Sequence, residues 1–88
     1  MKYNELMGKL IEIIGAFPIE AMQEVEPNFD IKLSAYFGST KLIDVIIFLG
    51  ETTKSFTFYP HDLKEDRESM FNELKKLLEL EVNILEGV

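Results

Sequence analysis

The stretch KLIDVIIFLG, residues 41–50, is apolar on both of its alternating sets: Ile43, Val45, Ile47 and Leu49 on one, Leu42, Ile46 and Phe48 with Asp44 on the other. Its β-branched and aromatic content suits a strand, and a strand that is apolar on two faces normally runs in the middle of a sheet. The segments flanking it keep a period of two. Upstream, Phe29, Ile31, Leu33, Ala35 and Phe37 alternate with Asp30, Lys32, Ser34 and Tyr36; downstream, KSFTFY sets Phe56 and Phe58 against Ser55, Thr57 and Tyr59. Each flanking segment has the one buried face expected of an outer strand. Gly38, Ser39 and Thr40 supply one turn and Gly50 to Thr53 the other, and connections this short predict an antiparallel meander with the Ile43 strand at its centre.

Outside the strands the period changes. In NELMGKLIEIIGAFP, Leu6, Leu10, Ile13, Ile14 and Phe17 recur three or four apart, with Met7 and Ile11 widening the stripe, and Glu5, Lys9 and Glu12 fall opposite. This pattern predicts an amphipathic helix, with Asn4 as its N-cap, Gly15 in the left-handed conformation at its end and Pro18 beyond. PIEAMQEVEP, residues 18–27, fits a short helix opened by Pro18 better than an extended edge. After the third strand, Asp62 and Glu65 have the spacing of a capping box. A helix is expected from about Leu63 to about Leu80, with Leu63, Met70, Phe71, Leu74, Leu77 and Leu78 as its apolar stripe. In the tail LELEVNILEGV, Ile84 and Leu85 continue that stripe, while Leu80, Val82 and Ile84 alternate as in a strand, and both readings stay open. The sum is one α+β domain over residues 1–88. An N-terminal and a C-terminal helix cover the sheet face carrying Phe29, Ile31, Leu33, Phe37, Ile43, Val45, Ile47, Phe56 and Phe58.

The 88 residues include no cysteine, which removes disulfides and thiolate metal sites and leaves stability to packing. No apolar run approaches the ~20 residues that span a bilayer, and MKYNELMGKL lacks the apolar segment of a signal peptide, so the expectation is a soluble, unprocessed, cytoplasmic chain. Sixteen acids against nine bases give a net charge of −7. The excess lies at the ends: −4 over residues 1–30, +1 over 31–61 and −4 over 62–88. A phosphate backbone is bound by releasing its counterions to Lys and Arg, so a chain of this sign is not expected to bind nucleic acid directly. The order helix, three antiparallel strands, helix resembles that of double-stranded RNA-binding domains only in topology. Those domains grip phosphates with lysines at the start of the last helix, where HDLKEDRE has four acids beside Lys64 and Arg67.

Groups for catalysis are few. His61, the chain's one histidine, sits in FTFYPHDLKED, residues 56–66, where a strand hands over to a helix. No partner constellation surrounds it, and it reads as a corner residue rather than a general base. Ser39 and Thr40 are explained by turn chemistry. Glu65, Asp66 and Glu68 belong to the first turns of a helix, which splays them in different directions and favours negative charge there, so a metal site is not expected. No catalytic residue and no cofactor is assigned.

What remains is surface. With helices on the Ile43, Val45, Ile47 face, Tyr36, Leu42, Ile46, Phe48 and Tyr59 share the opposite one, which in a monomer is normally polar. Residues 18–27 or the tail Val82–Val88 would cover it within the chain; otherwise a partner does, either a second copy in a homodimer or a different protein. The leading expectation is a non-enzymatic protein-binding domain, an acidic inhibitor or antidote of a basic, nucleic-acid-handling protein. Glu65, Asp66, Glu68 and Glu73, with Glu20, Glu24 and Glu26, would imitate a phosphate backbone. The alternatives are a small ligand-binding domain or enzyme with a pocket near His61, and a structural subunit of a larger assembly.

Overall fold

A computed structural model describes residues 1–87. Its elements are α1 (Tyr3–Gly15), α2 (Ile19–Val25), β1 (Asp30–Phe37), β2 (Lys41–Leu49), β3 (Thr52–Phe58) and α3 (Lys64–Glu86). The strands form one antiparallel sheet in the order β1-β2-β3, so the doubly apolar segment is central, as its pattern demands. The register sets Leu33 opposite Val45 and Val45 opposite Phe56. Rows of inward residues therefore cross all three strands, and their odd-numbered neighbours on β2 stand in the core: Ile43, Val45 and Ile47 are buried with Phe56 and Phe58.

All three helices lie on that inner side. Leu6 and Leu10 of α1, Met22 of α2, and Leu74 and Leu78 of α3 close the core, joined by Phe29 and by Phe17, whose rings stack at 5.2 Å. Fully burying a side chain of this size contributes ~1.5–3 kcal/mol, and because the sheet is narrow most of that gain rests on β2 and β3. On β1 the inward residues Ile31, Leu33 and Ala35 are only partly buried. Phe37, assigned to the covered face, is 79% exposed: it pairs with Lys41 at the hairpin tip, beyond the helical cover.

Residues 18–27 contain the short helix the spacing favours, with Met22 as its buried anchor. The tail is helical as well. Val82 and Leu85, four and seven residues after Leu78, pack against the core, while Leu80 and Ile84 are exposed, so helical spacing prevails over alternation. At 23 residues α3 runs about 34 Å, longer than any of the strands it packs against.

The helix caps differ from their sequence signals. Lys2 rather than Asn4 is the N-cap of α1, and Gly15 closes that helix in the right-handed region, followed by Ala16. Leu63, not Asp62, is the N-cap of α3. Leu63 itself is 65% exposed instead of joining the apolar stripe, because it precedes the first helical turn and has extended backbone angles. Where a left-handed residue is needed is the β2–β3 hairpin, at Gly50 with φ 78°. A positive φ at the first of the two turn residues alone is the type II′ pattern that matches strand twist. A Cβ at Gly50 would also stand 3.1 Å from Glu26 Oε2. Gly50→Ala is therefore expected to cost about 1–2 kcal/mol in urea unfolding, whereas Gly38→Ala, with open space around it, changes stability by less than about 0.5 kcal/mol.

Candidate interaction surfaces

The outer face of the sheet is built by the residues that alternate with the core. Register places Phe48 between Asp30 and Thr53, Ile46 between Lys32 and Ser55, Asp44 between Ser34 and Thr57, and Leu42 beside Tyr36. Tyr59 continues that last row, one residue past β3. Tyr36 is 54% exposed and Tyr59 is exposed, while Leu42, Ile46 and Phe48 are partly buried by their cross-strand neighbours. The five share a face without forming one patch. Asp44 separates Leu42 from Ile46, and the Thr57 hydroxyl donates to Asp44 Oδ1 at 2.8 Å, so a polar row crosses the middle. Among the described residues neither segment considered as a lid lies here: Ile19 and Met22 of α2 and Val82 and Leu85 of α3 belong to the inner core, and Val88 lies outside the described residues.

The acidic residues occupy the opposite layer. Glu65, Asp66 and Glu73 are exposed on α3, and Glu65, Glu68 and Glu73 line one shallow depression with Ser69, Asn72 and Lys76. Helical spacing of three, four and seven explains the alignment. Glu68 is engaged: its carboxylate accepts from the Met1 amino group at 2.6 Å, and that hydrogen bond and the positive charge hold its pKa below the usual carboxylate value. Glu20 and Glu24 are exposed on α2, whereas the Glu26 carboxylate accepts from the Asn28 amide at 3.2 Å and faces Gly50. Between residues 30 and 58, Asp30, Asp44 and Glu51 are matched by Lys32, Lys41 and Lys54. The sheet is thus neutral, and the whole net charge of −7 resides in the helices and their connections.

At the corner between β3 and α3, Asp62 turns its carboxylate backward. The Tyr59 amide donates to Asp62 Oδ2 at 2.8 Å, and the Asp62 amide donates to the Tyr59 carbonyl at 3.2 Å. This closes the turn and takes the carboxylate away from the helix, so the capping box does not form. His61 is exposed and stacks on the Tyr59 ring at 5.2 Å. Among the described residues no group of three His, Asp or Glu side chains is placed to hold a metal ion.

The residue that sequence reasoning missed at this corner is Arg67. Noted in the sequence only as a base beside the four acids of HDLKEDRE, it is 6% exposed. Its guanidinium donates to three carbonyls, those of Met1 at 3.2 Å, Pro60 at 3.3 Å and Asp62 at 3.1 Å, and lies 5.7 Å from the centre of the Tyr3 ring. Burial raises the Tyr3 pKa, with the Arg67 charge opposing and that of Asp62 adding to the rise. The fork ties the N-terminal segment, the corner and α3 into one unit.

One apolar groove of about 290 Å³ runs between the end of α1 and the second half of α3, lined by Ile13, Phe17, Leu78 and Val82 with Lys75 and Asn83 at its rim. No residue of the His61 corner contributes to it. No helix among the described residues is long and apolar enough to cross a membrane. No protein-family model, curated protein or solved structure matches this chain.

Proposed function

We propose that the chain is a non-enzymatic protein-binding domain whose acidic helical layer docks on a basic protein surface. One observation carries this reading: the charge is segregated, with the full −7 on the helical side and none on the sheet. Exposed carboxylates repeated along a helix offer a basic cleft the same sign of charge as a phosphate backbone, which fits an inhibitor of a nucleic-acid-handling protein. Glu65, Asp66 and Glu73 supply the contact, with Glu20 and Glu24 on the neighbouring helix; Glu68 contributes less because the Met1 amino group already neutralises it. Association driven this way is fast and sensitive to salt.

The test compares the wild-type chain with a Glu65→Lys, Asp66→Lys, Glu73→Lys variant, both immobilised and exposed to lysate at low and high ionic strength. Captured proteins are identified by mass spectrometry and their affinities remeasured with purified components. The expected result is a basic protein whose binding weakens about tenfold or more in high salt and is lost in the variant, which stays folded by circular dichroism because all three positions are exposed. Binding indifferent to salt and to the charge reversal overturns the reading.

A further inference from the structure

From the open face of the sheet we infer that the chain self-associates, a second copy covering the face that carries Tyr36, Leu42, Ile46 and Phe48. Three features of that face select a second copy as the occupant. The first is charge. With only Asp30, Lys32 and Asp44 as charged residues, this face offers little to a strongly charged partner, whereas two copies meeting there keep their acidic layers apart. Sheets stacked ~10 Å from one another place the helices outermost, separated by more than the ~8 Å screening length at physiological salt.

The second is self-complementarity. A two-fold axis running along β2 would stack each β2 residue on its own copy and set Asp44 against Asp44. A two-fold axis running across the strands at the level of Val45 does the opposite. It lays the row of Lys32, Ile46 and Ser55 over the row of Ser34, Asp44 and Thr57 of the second copy, so that Lys32 falls beside the other Asp44, twice in the interface. The same operation brings Phe48 onto Leu42 and the Asp30 carboxylate within reach of the Tyr36 hydroxyl. Residue i meets j and j meets i, as an isologous contact requires. Asp44, the carboxylate that interrupts the apolar face in each chain, is the group that selects this axis over the other.

The third is area. Three strands ~4.8 Å apart and about eight residues long present a projected face of roughly 14 by 26 Å, about 360 Å² in each copy and roughly 730 Å² in the pair before side-chain relief is added, below the ~1,200–2,000 Å² of standard interfaces and in the range of weak, transient ones. This size fits a weak, reversible dimer. The dimer uses the layer opposite to the acidic helices, so it stands or falls separately from the reading of the helical layer.

Sedimentation velocity and light scattering on the purified chain over a wide concentration range decide the matter. The expected result is a monomer–dimer equilibrium that Lys32→Glu weakens about tenfold or more, that Asp44→Lys weakens likewise, and that the double variant Lys32→Glu, Asp44→Lys restores to within a few-fold of wild type. Lys32 is exposed on the edge strand, so Lys32→Glu keeps the fold even where Asp44→Lys, which gives up the Thr57 bond, does not. A chain that stays monomeric throughout overturns the inference, and so does a dimer that Lys32→Glu leaves at full strength, which would mean pairing through a strand edge or a helix.

Discussion

Arg67→Ala is expected to lower the free energy of unfolding by about 3 kcal/mol, a large part of the ~5–15 kcal/mol that holds a domain of this kind together. The guanidinium donates hydrogen bonds to the carbonyls of Met1, Pro60 and Asp62, groups from two places in the chain, its N-terminus and the corner between β3 and α3. Removing it leaves a cavity where its stem lay and strips a charge-assisted partner from each carbonyl, and bonds of that type contribute ~1.5–3 kcal/mol when lost. Arg67→Lys does not restore the loss, since one ammonium group cannot span acceptors arranged around a planar fork. Arg67→Met keeps the stem and drops the fork, so it falls between wild type and alanine and separates packing from hydrogen bonding. Urea denaturation of the four proteins checks the order wild type, Met or Lys, then Ala. An alanine variant within about 0.5 kcal/mol of wild type would mean that the corner is held by α3 packing alone.

The position of Arg67 was present in the sequence as spacing and hidden by residue type. The apolar stripe of α3 passes through Met70, Phe71, Leu74 and Leu78, and one step back along it, three residues before Met70 and seven before Leu74, is position 67. A charged side chain there in the first turns reads as solvated, because charges are seldom buried without an acid partner. Here the partners are backbone carbonyls, which carry no sequence signature. The same reason hid the use of Asp62. Its spacing to Glu65 fits a capping box, but the Tyr59 amide, equally three residues away on the other side, donates to the carboxylate instead. Strands and helices were legible because periodicity is a property of the side chains themselves: the doubly apolar β2, the alternation of β1 and β3, and the stripe of α1 each find the faces their patterns demand. The outer face was legible as a set of residues, and its division by Asp44 and Thr57 followed only once register fixed which side chains stand in one row.

The contrast between neighbouring positions on β2 gives the largest effect and tests the fold and the interface together. Val45 is fully buried between Leu33 and Phe56, with Leu74 of α3 also in the core cluster. Ile46, the next residue, stands between Lys32 and Ser55 on the open side. Val45→Asp places a carboxylate where neither water nor a donor can reach it, a cost of roughly 4 kcal/mol or more, enough to remove most of the stability of a domain at the lower end of the ~5–15 kcal/mol range. Ile46→Asp instead sets the carboxylate directly across from the Lys32 ammonium in a partly exposed row, and the chain is expected to keep its helical circular dichroism and lose no more than about 1 kcal/mol. In the dimer that same carboxylate meets the second copy's Asp44, so a folded Ile46→Asp chain should sediment as a monomer at concentrations where the wild type is paired. Equal collapse of both variants would require a cover over the outer face in the monomer, and collapse of Ile46→Asp alone would require a register shifted by one residue, with every side chain of β2 turned to the other side.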